Sequence, residues 1–484
     1  MPVTEAGPAP GWAARAALVV GLVTLARVGL LAFDRTDLFV DEAQYWLWGQ
    51  RPDFGYYSKP PLIAWLIGAV TALAGSDAAF WVRLPGAFLH AATAMILGAL
   101  AARLSGARVA FWVAVGYVTL PMAALGSLMI STDTVMAPFF ALALLWHFRL
   151  VETGQRRFAV LAGIAAGLAF LAKYAAVYVL LGAALAALLV PMMRIAPRHA
   201  ALMLAAFGLT ILPNLYWNLT HGMATLSHTA DNVGWIGGGG PGVRLNLAGL
   251  AAFFASQFAV IGPVLMAALI WGWIRPAGPV ARALRAFSLP VLVLVCLQAL
   301  LSKAYGNWAI AAYFPGLLIA VPLLVARAPR LLRLSMGLNG VVCLALPLLT
   351  ITAPAPVLDG RPLLARYLGR ADLSHQIIDA AGAAGVTAVV AANRDVLADL
   401  HYTGRDAGLD VFAPRPGGRP RNYYQQVHPL PDPAPPALYV LEAAPDCGAG
   451  PLDPVAVFDT TGGAYRSRVL AGYLLPADCA DASR

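Results

Sequence analysis

From Ala14 to Phe33 the chain is almost continuously apolar, its heart reading Leu18-Val19-Val20-Gly21-Leu22-Val23-Thr24-Leu25, with Arg15 and Arg27 the sole charges. A run of about 20 such residues makes about 30 Å of helix, the thickness of a bilayer's hydrocarbon core. Acidic Glu5 precedes it and no basic segment does, so the run is expected to be a retained span instead of a cleaved signal. Similar runs recur as far as residue 353. The whole chain is 60% hydrophobic and 12% charged over 484 residues, with a mean hydropathy of +0.71. A water-soluble protein cannot hide that much apolar surface, so the chain is expected to be an α-helical polytopic membrane protein.

About eleven spans fit the pattern, near residues 14–33, 79–102, 109–127, 134–150, 158–173, 175–193, 201–219, 250–273, 286–303, 308–326 and 335–353. The net charge of +9 would suit nucleic acid, but its distribution argues against that partner. Arginines fall in every second short loop: Arg103 and Arg108; Arg149, Arg156 and Arg157; Arg194 and Arg198; Arg275, Arg282 and Arg285; Arg327, Arg330 and Arg333. That alternation is the positive-inside pattern, and it sets these loops in the cytoplasm. An odd number of spans then places residues 354–484 outside, giving a membrane domain over 1–353 and an outer domain over 354–484.

The tail changes character. A compact β-type run at Val386–Ala391 lies between helical patterns at Leu373–Ala384 and Arg394–Thr403, and further β-type segments follow at Ala437–Leu441 and Val455–Phe458. This predicts a small α/β domain. Cys447 and Cys479 both fall in it, where an oxidising compartment would permit a bridge, whereas Cys296 and Cys343 lie in predicted spans and read as packing residues.

Immediately after the first span come Asp41-Glu42-Ala43-Gln44-Tyr45-Trp46 and Tyr56-Tyr57-Ser58-Lys59-Pro60-Pro61, an acid pair and a lysine beside a nearly uncharged chain. Ionisable groups near hydrocarbon are expensive and mark functional sites by default. Within this first outer loop, 34–78, Asp41–Gln50 reads as a short helix, and Pro61–Ala74 as an apolar helix too short to span, lying at the interface. The residues suggest an enzyme that handles a phosphate-bearing lipid at the membrane surface. Asp41, Glu42 and Asp133 are the candidate catalytic carboxylates, suited to taking a proton from an acceptor hydroxyl. Capping of helix N-termini is the competing explanation for all three.

Only three lysines occur, Lys59, Lys173 and Lys303, against thirty arginines, and each is expected on the outer face. A lysine is a compact point charge suited to a phosphate oxygen. Lys59, held by Pro60 and Pro61, leads the phosphate candidates, with Lys173 and Arg83 beside it; Lys303 reads as a headgroup anchor. Tyr56, Tyr57, Tyr174 and Trp235 could stack on a sugar, though interfacial aromatic belts also explain such residues. Asp231 and Asn232 lie with Trp235 in a second outer loop, 220–249, whose run Gly237–Gly240 could order over a substrate or merely connect. The histidines show no metal-ligand spacing, so no metal and no cofactor are expected.

The Asp41-Glu42 loop, Tyr57-Ser58-Lys59-Pro60-Pro61-Leu62 and the Ile130-Ser131-Thr132-Asp133-Thr134 segment together resemble the polyprenyl-phosphate-sugar-dependent glycosyltransferases of the GT-C fold. Within these the chain is similar to the bacterial branch of protein mannosyltransferase-like enzymes and lipid A 4-amino-4-deoxyarabinose transferases. Thr229-Ala230-Asp231-Asn232-Val233-Gly234-Trp235 and Ala392-Asn393-Arg394-Asp395 resemble the lipopolysaccharide-core galacturonosyltransferases. The resemblance implies a polyprenyl-phosphate sugar donor, a lipid-linked or glycan acceptor such as lipid A or lipopolysaccharide core, and an inner-membrane enzyme working on the periplasmic side. It implies Asp41 as the acceptor-side carboxylate, Lys59 as a ligand of the donor phosphate, and Asp133 in the same outer cavity. Relatives often carry an acid just before the lysine and an arginine within the acid-pair motif; here those positions hold Ser58 and Gln44. The competing class is a lipid flippase or transporter with no covalent chemistry. Against it, inverted repeats and interrupted mid-membrane helices are not evident, and the charged residues gather at one face.

Overall fold

A computed structural model of the chain describes residues 11–233, 245–447 and 450–476. It divides into two compact units, one of residues 1–32, 59–63 and 83–347, the other of residues 33–58, 64–82 and 348–484. The second unit therefore combines most of the first loop with the tail.

The first unit is helical. Seven helices are long and apolar enough to cross a membrane: Gly11–Leu31, Ala79–Ser105, Thr132–Thr153, Pro197–Thr220, Gly278–Leu301, Gly306–Arg327 and Pro329–Thr352. The last begins in this unit and ends in the other, and the second begins in the other and ends here. Two bent pairs raise the number to nine among the described residues: Ala107–Val118 with Pro121–Leu128, at 49°, and Leu247–Val260 with Pro263–Ile274, at 112°. The expected eleven counted two shorter apolar stretches as well. Residues 158–173 and 175–193 are helical, but as Arg156–Ala172 and Tyr178–Leu189, of 17 and 12 residues. At 1.5 Å per residue each falls short of the roughly 30 Å of hydrocarbon. The stretch 250–273 is not one straight span either. Gly262 takes φ +89, a left-handed conformation open to glycine, and Pro263 restarts the chain in a new direction.

Helices Thr132–Thr153 and Gly306–Arg327 are the most enclosed, with 72% and 78% of their apolar windows buried, so they form the centre of the bundle. Gly11–Leu31 lies at its margin, exposing Leu18, Leu22 and Leu25 as a face for lipid tails. Its Arg27 turns inward and is buried. Its guanidinium donates to the Val118 carbonyl (2.7 Å), to Ser127 Oγ (3.2 Å) and to Cys343 Sγ (3.1 Å), so backbone and side-chain acceptors replace water around a charge within a span.

The second unit carries a five-stranded sheet. Strands β1 (Val357–Leu358) and β2 (Arg361–Pro362) form a small hairpin, while β3 (Ala388–Ala391), β4 (Asp410–Phe412), β5 (Ala437–Leu441), β6 (Ala456–Val457) and β7 (Ala471–Leu474) make the sheet in the order β4-β3-β5-β7-β6. β3 runs parallel to both neighbours, with Val390 opposite Phe412 and Tyr439; β7 is antiparallel to β5 and β6. Helix Arg394–Thr403 supplies the crossover connection between parallel β3 and β4, and Arg370–Ala383 leads into β3. Ala388, Val390, Leu430, Ala437 and Tyr439 form a core on the sheet. The expected α/β tail is present, and two of its elements, Arg394–Thr403 and Ala437–Leu441, fall on the predicted residues. Cys447 is disulfide-bonded. Cys479 lies outside the described residues.

The first loop folds as expected into helices Val40–Gly49 and Leu62–Ala74. They meet at Gly49 and Gly68, where a Cβ on Gly49 would stand 2.9 Å from the Ala64 carbonyl oxygen and from the Gly68 nitrogen. Within the same unit Trp46 Nε1 donates to Asp77 Oδ1 (2.7 Å), Tyr402 donates to the Asp77 carbonyl (2.7 Å), and the Arg370 amide donates to Asp37 Oδ2 (2.7 Å). Loop and tail are thus stitched by polar contacts at several points. The second outer loop begins with a helix, Ala224–Val233, and Gly237–Gly240 lie outside the described residues.

Candidate active site

The acid pair opens helix Val40–Gly49, and its two members have different surroundings. Glu42 turns back to cap the helix: Oε2 accepts from the Phe39 amide at 2.9 Å, and the residue is 1% exposed. Such a bond satisfies one of the amides that a helix start leaves without partners. Asp41 points outward, its side chain 44% exposed. Its Oδ1 accepts from Arg394 Nη2 at 2.5 Å, and Arg394 Nε donates to Gln44 Oε1 at 2.8 Å. Arg394 is the first residue of helix Arg394–Thr403 and is held by its neighbours. Asn393 donates to Glu442 Oε1 (3.0 Å), and Asp395 accepts from Arg468 (3.0 Å).

The aromatic candidates nearby are engaged internally. Tyr56 lies flat on Trp48, with centroids 4.7 Å apart and planes 3° from parallel, and its hydroxyl donates to the Trp48 carbonyl (3.0 Å) and accepts from the Asp53 amide (3.0 Å). Burial pushes its phenol pKa well up. Tyr57 is buried and donates to the Pro420 carbonyl at 2.9 Å. Deeper in this unit, burial raises Asp399 to about 6, although Ser374 (2.6 Å) and Thr403 (3.0 Å) donate to Oδ2. The His401 ring stacks on Tyr424 at 5.3 Å, and burial, with the nearby His428 adding to it, lowers its pKa to about 3.

In the first unit Lys59 is half-buried beside Pro60 and Pro61, and Arg83 is 1% exposed. Asp133 opens helix Thr132–Thr153, but the cap there is Ser131, whose Oγ accepts from the Thr134 amide at 3.2 Å. Asp133 is left for other partners. Both its oxygens accept from Lys173 Nζ at 2.7 Å, and Oδ2 also accepts from Asn307 Nδ2 at 2.8 Å. Lys173 closes helix Arg156–Ala172, which packs antiparallel on Thr132–Thr153, so the pair sits where one helix begins and the other ends. The next residue, Tyr174, donates to Asn214 Oδ1 (3.0 Å) and accepts from Asn218 Nδ2 (3.2 Å). Asp231 is exposed on helix Ala224–Val233; the Asn232 side chain and Trp235 lie outside the described residues. Among the described residues no three His, Cys, Asp or Glu side chains gather as a metal ion would need.

Sequence reasoning thus picked out Asp133 and Lys173 separately, and the structure joins them. It missed Asn307, Gln44 and Arg394 as contributors. Asn307 carries no local signal. Gln44 and Arg394 were visible only as a departure from one motif and a member of another, 350 positions apart.

Known proteins now extend the picture. A family profile described as dolichyl-phosphate-mannose-protein mannosyltransferase matches residues 58–217. The lipid A galacturonosyltransferase RgtD of Rhizobium johnstonii is 42% identical over 468 residues, covering 96% of this chain and 98% of that one. The crystal structure of ArnT from Cupriavidus metallidurans bound to undecaprenyl phosphate superposes with a TM-score of 0.65 at 15% identity, covering 97% of this chain and 99% of ArnT. The apo form gives 0.61 at 16% identity, over 96% and 98%. The ArnT likeness establishes the fold, and RgtD, matched nearly end to end, establishes the relationship: the chain belongs to the RgtD family of multi-pass membrane glycosyltransferases, built on the GT-C fold.

Proposed function

We propose that this glycosyltransferase takes a galacturonosyl or closely related hexuronosyl residue from a polyprenyl-phosphate carrier and passes it to lipid A. The observation that carries the reading is the 42% identity to a lipid A galacturonosyltransferase over nearly the whole of both chains. Working on the periplasmic face of the bacterial inner membrane suits the chemistry, because nucleotide sugars are absent there and a lipid must carry the donor. Residues 354–484 then stand on that face.

In the transfer, an acceptor hydroxyl oxygen forms a bond to the anomeric carbon as the bond from that carbon to the phosphate oxygen breaks. The electron pair leaves with the polyprenyl phosphate, and the hydroxyl proton goes to a carboxylate. Asp41 is assigned that proton, because its carboxylate is reachable and already oriented by Arg394. Glu42 secures the helix start beneath it. Lys59 and Arg83 are assigned the phosphate, whose growing charge a fixed cation stabilises as the bond breaks. Lys173 is assigned to Asp133, which it already holds with both oxygens.

Purified wild type and Asp41→Asn, each given galacturonosyl polyprenyl phosphate and lipid A, test the assignment through release of free polyprenyl phosphate and mass gain on lipid A. Both products should appear with wild type and fall about 100- to 10,000-fold in the mutant. Release without transfer to lipid A would move the acceptor elsewhere. Equal rates in the two proteins would remove Asp41 from the chemistry, and a folded wild type inert toward every polyprenyl-phosphate sugar would end the reading.

A further inference from the structure

The guanidinium of Arg394 is only partly used. A guanidinium presents two edges that can each grip a pair of acceptors, one formed by Nε and Nη2 and one by Nη1 and Nη2. Gln44 Oε1 and Asp41 Oδ1 occupy the first edge, at 2.8 and 2.5 Å. The second has no hydrogen-bond partner among the described residues, and the side chain is 40% exposed. The occupied edge locks the plane of the group, since a neutral amide and a carboxylate on separate side chains both hold it. Gln44 itself is 1% exposed, so this lock is set from below. The chain thus presents an immobilised two-pronged cation directly beside the carboxylate that the proposed function assigns to the acceptor proton.

We propose that the open edge of Arg394 binds the carboxylate of the transferred uronic sugar, making Arg394 a determinant of donor specificity. The proposal rests on the hexuronosyl-transfer reading above. A planar carboxylate fills both prongs with charge-assisted bonds, whereas the hydroxymethyl of the corresponding neutral hexose offers one neutral oxygen and leaves a prong empty. Rejection of the neutral sugar follows, because a site built to satisfy a particular polar group penalises the analogue lacking it. A phosphate oxygen pair could engage the same edge, and that source is separable, because the carrier phosphate is common to both donors.

Wild type, Arg394→Gln and Arg394→Lys would be assayed with two donors on the same polyprenyl phosphate, one galacturonosyl and one galactosyl. Donor competition against undecaprenyl phosphate supplies the affinity ratio wherever turnover of the neutral donor is too slow to read. Wild type should prefer the galacturonosyl donor by about 100-fold, the worth of two charge-assisted hydrogen bonds over one neutral bond. In Arg394→Gln both donors should lose turnover as Asp41 loses its partner, but the acidic donor by far more, so that the preference collapses, with Arg394→Lys in between because it keeps the charge without the fork. An unchanged denaturant midpoint in detergent shows that the variant is folded. Equal loss on both donors would overturn the proposal, leaving Arg394 to orient Asp41 or grip the phosphate. A wild type that handles both sugars equally would overturn it while sparing the transferase. A wild type that uses neither would overturn the proposed function and this proposal together.

Discussion

Replacing Lys173 by methionine keeps most of the side chain's length and removes its charge. In the structure the ammonium stands 2.7 Å from both oxygens of Asp133, whose side chain is 8% exposed, while the lysine's is 18% exposed. Without it the carboxylate keeps, among the described residues, one neutral donor, Asn307 at 2.8 Å. Breaking a buried pair in this way costs about 3–5 kcal/mol, because the surviving charge stays desolvated. The same reasoning says that removing the charge as well restores stability. Asp133→Asn combined with Lys173→Met should return to within about 1 kcal/mol of wild type, giving a coupling of at least 2 kcal/mol across the double-mutant cycle.

Unfolding of the detergent-solubilised protein, followed by denaturant titration, reads the stability terms, and sugar transfer reads the function. If Lys173→Met lowers stability by less than about 1 kcal/mol, the surviving Asp133 charge is not left desolvated and the reasoning is refuted. The double mutant decides what the pair is for. A stable protein without transfer would give Asp133 a part in the reaction. A stable and fully active one would leave the pair as architecture.

Three further outcomes follow from the second unit. Asp399, raised to about 6, is protonated in the fold at acid pH and must ionise in a buried site above it. Its contribution is fully present below the unfolded value near 3.8 and is lost as pH rises through 6. Asp399→Asn should therefore stabilise the tail by up to about 3 kcal/mol at pH 8, read by hydrogen exchange in helices Arg370–Ala383 and Arg394–Thr403, and have little effect at pH 4. His401 works in the opposite direction. Held near 3, it contributes stability that falls away as pH drops below 6.5, so His401→Phe, which also removes a buried Nε2 lacking a hydrogen-bond partner among the described residues, should gain about 2 kcal/mol at pH 5. Gly49→Ala drives a methyl against backbone 2.9 Å away and should cost about 1–3 kcal/mol, with loss of transfer as the helix carrying Asp41 shifts; unchanged activity would show that the helix crossing tolerates it.

The parts legible in the sequence are those set by local pattern. Apolar runs gave away the long helices, and compact β-type runs gave away β3 and β5, with helical patterns marking the two helices that flank β3. Span counting is least secure where length decides. Arg156–Ala172 lies on one expected span, and its 17 residues stand at the lower limit for crossing, ending where Lys173 leaves the helix with φ −156. The reading of Asp133 as a cap failed for a different reason. Ser131 and Asp133 are both good capping residues, and which of them caps depends on where Lys173 and Asn307 arrive from distant helices. Arg394 was hidden more deeply. Its partners lie 350 and 353 positions away, and a composition rich in arginine gives no reason to single out one of thirty.

Burial separates the acids that the sequence grouped together. A carboxylate that takes a proton from an incoming hydroxyl must be open to the substrate, whereas one that fixes a helix does better without water competing for its bond. Glu42, at 1% exposure and bonded to the Phe39 amide, meets the second condition. Asp133, with both oxygens filled by Lys173, lies close to it. Asp41 meets the first, with 44% of its side chain open and a side-chain cation from the tail orienting it. The ordering has a consequence for mutants. Substituting Asp41 by asparagine should lower turnover far more than stability, Glu42→Gln should do the reverse, and Asp133→Asn should move both. A Glu42→Gln protein that is stable but inactive would break this ordering, because it would place the chemistry on the acid that the fold has closed off.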